Sequence, residues 1–357
     1  MKKVPFLLFL SCIIVFLNSC KKTLTDEIVV ETGSIQGADI SFLPQIEQSN
    51  VVLYNQSGQA EDMLTTLKSA GCNTIRVRLW YAPADGHSGF AEVKSFVQRI
   101  KAKGLKVWLT VHYSDTWADP GTQTPPAAWA ACTFASLKDS VYAYTQRIMT
   151  QMQPDYIQIG NEINSGLLWP IGKYDQMSQC TALLDKGIKA VRAINPNTKI
   201  ILHYAGITGA DWFFGQMSGL DYDIIGLSYY PIWHGKDLSL LQSTLSGLAT
   251  SYNKKVVIAE TSYPFTLQWN DWTNNVVGQS DQLISDYPAT AQGQHDFLAK
   301  IKQISTSFSQ GIGFCYWGAE FIAFKGTTAT NGSNWENQAF YDFNNKALTV
   351  LNVYSGK

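Results

Sequence analysis

Two carboxylates offer this chain its most specific chemistry. Glu162 follows a short apolar run, Tyr156-Ile157-Gln158-Ile159, that stops at Gly160 and delivers Asn161-Glu162 at its end. Glu260 closes a second run, Lys255-Val256-Val257-Ile258-Ala259. Pro154 and Gly160 punctuate the first run, so it reads as a buried strand opening into a loop. A carboxylate at the tip of such a strand is costly unless it is paired or used. Two carboxyls about 5–5.5 Å apart can hydrolyse a glycosidic bond with retention, one protonating the leaving oxygen while the other attacks the sugar. The acid must keep its proton near neutral pH, which burial and a neighbouring negative charge arrange. The nucleophile must be ionised, a state that an adjacent arginine favours. Arg76 is the candidate for that role, with Tyr230 as a hydrogen-bond donor to Glu260. The alternative is that Glu162 and Glu260 are unrelated structural partners of arginines.

Short apolar strands alternate with amphipathic helical stretches over the whole body of the chain. Strands are predicted at 34–41, 73–80, 105–112, 156–159, 199–204, 223–229, 255–260 and 312–317. Helices are predicted at 60–70, 90–103, 134–151, 176–194 and 292–306; Gly71 and Gly104 supply C-terminal stops to the first two. Eight such strands, each apolar throughout, predict an α/β fold of the (β/α)8 barrel type. A doubly wound sheet would want a glycine-rich phosphate turn after its first strand, and none is present. The strand ends carry Asp39, Arg76 with Arg78, His112 with Asp115 and Trp117, Asn161-Glu162, His203, Tyr229-Tyr230, Glu260 and Trp317. In a barrel these ends share the C-terminal face, where such folds do their chemistry.

The N-terminus bears on export. Lys2 and Lys3 precede an apolar stretch from Val4 to Leu17, a pattern of secretory signal peptides that is too short and wrongly flanked for a spanning helix. Leu17-Asn18-Ser19-Cys20 resembles the lipobox of bacterial lipoproteins, which implies that Cys20 is acylated. The expected organisation is a leader over 1–19, an acylated Cys and short polar spacer over 20–33, and one catalytic domain over 34–357. Lys21-Lys22 after the cysteine, with no Asp, favours the outer membrane, and a polymer substrate would favour the cell surface. The membrane is then met through the lipid alone.

A formal net charge of −1 and the lack of a basic run beyond Lys22 argue against nucleic acid as a partner. With 11 Trp, 17 Tyr and 17 Phe, the chain has aromatic faces enough both for a core and for a sugar-stacking cleft. Cys72 and Cys315 are expected as buried thiols, whereas a Cys132–Cys180 disulfide is left open. No cysteine spacing matches a metal site. A monomer is expected.

Longer motifs surround the two carboxylates. Gly37-Ala38-Asp39-Ile40-Ser41, Arg76-Val77-Arg78-Leu79-Trp80 and the block from Trp108 to Gly121 come first. Gln158 to Pro170, Ser228-Tyr229-Tyr230-Pro231, Glu260-Thr261-Ser262-Tyr263-Pro264 and Trp335-Glu336-Asn337-Gln338-Ala339 follow. With them the chain resembles the glycoside hydrolase family 53 endo-β-1,4-galactanases, within the clan of retaining glycosidase barrels. The resemblance implies endo-acting hydrolysis of β-1,4-galactan through a covalent intermediate, with Glu162 as acid/base and Glu260 as nucleophile. It also implies that Asn161 meets the sugar 2-hydroxyl and that Asp39, Arg76, His112, Asp115, Trp117, His203, Tyr230 and Trp317 form the substrate groove. The competing readings are another endo-β-glycanase of the same clan and a surface glycan-binding lipoprotein that no longer cleaves.

Two segments depart from the family pattern. After the eighth strand the family reads Tyr-Trp-Glu-Pro-Ala-Trp, where this chain has Tyr316-Trp317-Gly318-Ala319-Glu320-Phe321. That puts the subsites on this side of the groove in doubt. Bacterial relatives carry a structural calcium after the seventh strand, on a run richer in acids than Asn270-Asp271-Trp272-Thr273-Asn274-Asn275. The oxygen ligands left to hold calcium are Asp271, the Thr273 carbonyl and Asn275, helped by Ser333 and Glu336; a metal-free hydrogen-bonded loop is the alternative. No cofactor is required for the chemistry.

Overall fold

The computed structural model describes Met1 and residues 33–355, so Cys20, the leader and most of the spacer lie outside the described residues. The chain divides into two units, Met1–Gly33 and Ser34–Lys357. The second unit is a closed ring of eight strands in sequence order, every neighbouring pair parallel. Its first half runs β1 (Ile35–Asp39), α1 (Leu43–Gln48), α2 (Met63–Ala70), β2 (Thr74–Leu79), α3 (Phe90–Ala102), β3 (Lys106–Val111), α4 (Phe134–Met152) and β4 (Tyr156–Ile159). The second half runs α5 (Met177–Ile194), β5 (Lys199–Ala205), α6 (Ala210–Gln216), β6 (Ile224–Ser228), α7 (Pro231–His234), α8 (Leu238–Tyr252), β7 (Lys255–Thr261), α9 (Ala291–Ser305), β8 (Gly311–Trp317) and α10 (Asn352–Ser355). This is the (β/α)8 barrel.

Local signals set the boundaries. Asp62 caps α2 by accepting the Thr65 N–H, and Gly71 ends it at φ +108°, a left-handed value that glycine adopts without a Cβ clash. Thr133 and Thr290 cap α4 and α9 in the same way. The expected strands and helices all form, most with ends shifted by one to three residues. Helices α1, α6, α7, α8 and α10 lie outside the helices that the sequence predicts. In α8 the signal is weak because Ser239, Ser243, Ser246 and Gly247 favour helix poorly. Leu241, Leu245, Leu248 and Ala249, on one face, are its buried residues.

Alternation along the strands separates two cores. Val107, Leu109, Val111, Ile157 and Ile159 point outward into the layer beneath the helices. Trp108, Tyr156, Ile201, Ile224, Val257 and Cys315 fill the barrel itself. The inward positions one pair higher are polar and buried: Arg76, Thr110, Gln158 and His203. A dry apolar plug thus supports a hydrogen-bonded polar floor, and the site stands on that floor. Cys72 and Cys315 are buried free thiols, as expected, and Cys132 and Cys180 are free as well. Cys180 lies on the buried face of α5, which faces the barrel wall, and Cys132 has only a 3.9 Å contact with Ser140 Oγ.

Candidate active site

Strand geometry alone would misdirect Glu260. Val257 and Ala259 face into the barrel, so strict alternation would turn the next residue outward. The β6–β7 register instead skips a residue, with Leu227 opposite Ile258 and Ser228 opposite Glu260. This bulge at Ala259 re-aims Glu260 into the barrel mouth. Glu162 arrives by another device. Gly160 turns the end of β4 at φ +81°, where a Cβ would stand 2.6 Å from Ile163 Cγ2. Glu162 itself holds a left-handed backbone at φ 44°, ψ 57°. A non-glycine residue there is uncommon, and such strain concentrates at functional sites.

The two turns bring one carboxylate oxygen of each residue within 4.8 Å of the other. Their surroundings differ. Arg76 Nη2 lies 2.7 Å from Glu260 Oε1, and the Tyr230 hydroxyl donates to Glu260 Oε2 at 2.9 Å. The other arm of Arg76 pairs with Asp39 Oδ2 at 2.8 Å, and Asp39 in turn accepts from the Ser41 hydroxyl. Among the described residues no cation pairs with Glu162; it accepts a 2.5 Å hydrogen bond from Ser228 Oγ. Burial pushes both carboxyls up. At Glu162 the charge of Glu260 adds to that push and the pKa reaches about 8. At Glu260 the rise is opposed by Arg76 and by the Tyr230 hydroxyl. The single proton of the pair therefore belongs on Glu162, leaving Glu260 ionised against Arg76.

Above the pair lies a cavity of about 680 Å³. Asp39, Arg76, His112, Asn161, Tyr230 and Trp317 all line it, as expected, and Trp117 overhangs it while 37% exposed. The Asn161 Nδ2 donates to Ala118 O at 2.8 Å and its Oδ1 accepts from Arg76 at 3.0 Å, so the amide is locked in one orientation. His112 Nδ1 accepts the Ala118 N–H at 3.0 Å; burial, with Arg78 and Arg76 nearby, keeps its pKa well below the usual value.

Two expected groove residues stand elsewhere. Asp115 does not line the cavity: its two oxygens accept the Ala82 and Ala127 N–H groups at 2.9 and 2.8 Å, so it ties two loops together. His203 is fully buried within the floor. Its Nδ1 meets two donors, Gln158 Nε2 at 2.9 Å and the Glu162 N–H at 3.3 Å, and one acceptor, Asn161 Oδ1 at 3.2 Å. Asn161 Oδ1 already accepts from Arg76 and Gln158, so the lone pair of the ring belongs on Nδ1. The Gln158 orientation is itself fixed, because its Oε1 accepts from Arg76 and Thr110. His203 is thus the neutral Nε2–H tautomer, a state that burial and the Arg76 charge also favour. With that lone pair already engaged, Glu162, His203 and Glu260 form a site for moving protons rather than a nest of free metal ligands.

Several cavity residues were not picked out from the sequence. Trp335 packs edge-on to Trp317 at 4.6 Å and sits 5.8 Å from Trp233, which is 55% exposed at the rim. Phe321, where the family has a second Trp, packs on Trp317 at 4.8 Å and on Phe42 at 5.1 Å. These rings extend one wall of the cavity as a continuous aromatic surface suited to sugar faces. Arg78, which the sequence already places at a strand end, is held among the Phe42, Trp80 and Trp117 rings, its guanidinium carbon 4.2–4.4 Å from each centroid. The segment Trp335-Glu336-Asn337-Gln338-Ala339 was the available signal for Trp335; for Trp233 there was none.

Two buried carboxyls facing each other at the mouth of a barrel, one proton between them, can cleave a glycosidic bond. The family model for glycosyl hydrolase family 53 matches residues 35–354. The chain belongs to that family. An endo-beta-1,4-galactanase of Bacillus subtilis is 34% identical over 370 residues, spanning 90% of this chain and 85% of its own. The GH53 catalytic domain of Ignisphaera aggregans matches with a TM-score of 0.85 at 37% identity, covering 90% of this chain and 95% of that one. A structure of fungal beta-1,4-galactanases matches with a TM-score of 0.77 at 30% identity, covering 89% and 98%.

In this family 53 barrel the long loops after β7 and β8 bind one another. Trp272 N–H donates to Ala329 O at 3.0 Å, and Val276 N–H donates to Asn334 O at 2.9 Å. Where they meet, three buried oxygens have no hydrogen-bond partner: Asp271 Oδ2, Asn275 Oδ1 and Glu336 Oε2. Burial raises the Glu336 pKa, and the neighbouring Asp271 adds to the rise. Orphaned acceptors on two acids and an amide match the donor set of a hard cation. The other two expected ligands are the Thr273 carbonyl and Ser333. The Thr273 hydroxyl bridges Ala329 O and the Gly332 N–H, which leaves its carbonyl as the candidate, and Ser333 faces the cavity.

Proposed function

We propose that this protein is an endo-acting, retaining β-1,4-galactanase in which Glu162 is the acid/base and Glu260 the nucleophile. The observation that carries the reading is the asymmetry of two carboxylates within 4.8 Å: Arg76 and Tyr230 both serve Glu260, and neither touches Glu162. That spacing suits direct attack on carbon and is too short for the separation, roughly 6.5–9.5 Å, that inverting enzymes need for an intervening water. Glu260 attacks the anomeric carbon while Glu162 gives its proton to the departing glycosidic oxygen. Glu162, now anionic, takes a proton from water as that water attacks the galactosyl–Glu260 ester. Asn161, fixed by Ala118 and Arg76, is positioned to meet the 2-hydroxyl of the sugar being cleaved.

The substrate assignment is supported by the named activity of the family 53 relatives and by an open, aromatic-walled cavity that a polymer can cross. The test is digestion of linear β-1,4-galactan with product sizing, beside a panel of mannan, xylan and mixed-linkage glucan. Mid-chain cuts in galactan alone support the reading; release from another glycan in preference overturns the substrate. NMR of the first-formed product should reveal the β anomer, and an α anomer would remove Glu260 from the nucleophile role. Glu162→Gln and Glu260→Gln should each abolish turnover of galactan, which also separates this reading from a non-cleaving binding protein.

Two further readings belong with it. A calcium ion held by Asp271, Asn275 and Glu336, with the Thr273 carbonyl, would tie the β7 and β8 loops together and supply no chemistry. Chelation should then lower the melting temperature of the wild type and leave that of Asp271→Asn unmoved. Acylation at Cys20, an outer-membrane location and contact with the membrane through lipid alone are inferred from the leader sequence. Incorporation of labelled fatty acid that persists in Cys20→Ala would overturn the anchor. A monomeric catalytic domain is the expected result of sizing by light scattering.

A further inference from the structure

Ser228 ends β6 fully buried between the floor of the barrel and Glu162. Its hydroxyl stands 2.8 Å from His203 Nε2 and 2.5 Å from Glu162 Oε1. The Glu162 N–H donates to His203 Nδ1, and Asn161 Oδ1, 3.2 Å from the same nitrogen, is already taken by Arg76 and Gln158, so the His203 proton is on Nε2 and points at Ser228 Oγ. A hydroxyl that receives one hydrogen bond has a single proton to give, and here that proton faces Glu162. The chain of donors runs one way only: His203 Nε2–H to Ser228 Oγ–H to Glu162 Oε1.

We propose that Ser228, oriented by His203, is the positioning residue that decides which oxygen of Glu162 carries the catalytic proton. With Oε1 held as an acceptor, the acidic proton resides on Oε2, the oxygen free to face the cavity. No rotation of the carboxyl is then needed before proton donation. When Glu162 is anionic in the second half of the reaction, the same hydrogen bond stabilises its charge and keeps Oε2 toward the incoming water. The relay thus holds one geometry for both the acid and the base roles. His203 does not touch substrate in this arrangement; it acts through Ser228, which explains a histidine buried where no sugar can reach it.

This inference rests on Glu162 being the acid/base, and the experiment separates the two. The readouts are the pH profile of kcat/KM on galactan and the kcat on an aryl β-galactobioside with a good leaving group. In Ser228→Ala the hydrogen bond to the anionic carboxylate is lost, so the Glu162 pKa rises. The alkaline limb should move up by about one pH unit, with kcat on galactan falling more than kcat on the activated aryl glycoside. Ser228→Cys, nearly isosteric and a weaker donor, should fall between wild type and alanine, and it is read in place of alanine if that variant does not fold. His203→Gln should move the limb in the same direction and by less. An alkaline limb that stays put in Ser228→Ala or Ser228→Cys, whatever happens to kcat, overturns the proposal. Glu162→Ala serves as the check on the underlying reading. If azide does not restore its turnover of the aryl glycoside, the acid/base assignment fails, independently of the Ser228 result.

Discussion

Removing the Arg76 guanidinium is the sharpest perturbation of the proton arrangement. Arg76 is 2% exposed and forks between Glu260 Oε1 at 2.7 Å and Asp39 Oδ2 at 2.8 Å. With charge centres about 4 Å apart and an effective dielectric near 20, its attraction for Glu260 is about 4 kcal/mol. That corresponds to about 3 pK units. Burial and the Asp39 charge push Glu260 the other way, and without Arg76 nothing but the Tyr230 hydroxyl opposes them. Arg76→Leu should therefore raise the acidic limb of kcat/KM by about 2–3 pH units, with activity below that limb falling about tenfold per unit. The alkaline limb should hardly rise, so the active window narrows almost to closure. These limbs are macroscopic constants of the Glu162–Glu260 pair. Arg76→Lys keeps one charge but cannot serve both partners, and its limb should lie between. The assay is kcat/KM against pH, run below a melting temperature measured for each variant. Breaking a buried pair costs about 3–5 kcal/mol of stability. A folded Arg76→Leu protein whose acidic limb moves by less than about half a unit would refute the assignment of Glu260 as the carboxylate that Arg76 keeps ionised.

Other consequences can be read more briefly. Tyr230→Phe removes a 2.9 Å hydrogen bond to the Glu260 carboxylate, a bond of a kind worth about 1.5–3 kcal/mol. Its kcat should fall about 10- to 100-fold in steady-state assays, with KM for galactan changing much less. Glu320 is buried and pushed up to about 8, by burial first and then by the Asp39 charge; its Oε1 accepts the Phe42 N–H at 2.8 Å and its Oε2 has no partner. A carboxyl whose pKa is raised by folding favours the native state below its unfolded value of 4.5, and that advantage is lost as pH climbs through about 8. Glu320→Gln keeps the acceptor for Phe42. Its melting temperature should match the wild type near pH 4.5 and exceed it increasingly toward pH 9. Gly160→Ala should destabilise by about 1–3 kcal/mol in denaturant titration and lower kcat, because the turn at φ +81° and the close approach of Ile163 both exclude a Cβ.

Much of this was legible in the sequence because the barrel writes itself in buried apolar runs. The strand from Tyr156 to Ile159 is bounded as expected, since Pro154 and Gly160 mark it chemically. The Arg76 and Tyr230 contacts to Glu260 also follow from strand-end position. What escaped depends on matters of one residue or one loop. The bulge at Ala259 leaves no compositional trace, yet without it Glu260 would face the helices. Asp115 and Trp117 are two residues apart on one loop, and only the folded loop reveals that one anchors it and the other overhangs the cavity. His203 and Ser228 lie near strand ends like true groove residues, and their depth beneath the cavity is set by the register of β5 with β6. Exposed Trp233 belongs to the four-residue helix α7, too short to show any period.

The ring itself has a consequence for how this enzyme comes to life. The seam that closes it pairs β1 with β8, joining Asp39 to Trp317 in register across almost the whole chain. Arg76 meanwhile gathers Asp39 from β1, Asn161 from the end of β4 and Glu260 from β7. Such distant pairings are the slow part of folding, since the intervening chain must be ordered before they return any stability. A species with the first six strands in place would hold Glu162 on its turn and have no Glu260 to face it. Catalytic competence therefore arrives with closure of the circle rather than by degrees. Turnover regained during refolding reports on the last step of assembly, where a spectroscopic signal from the helices reports on the first.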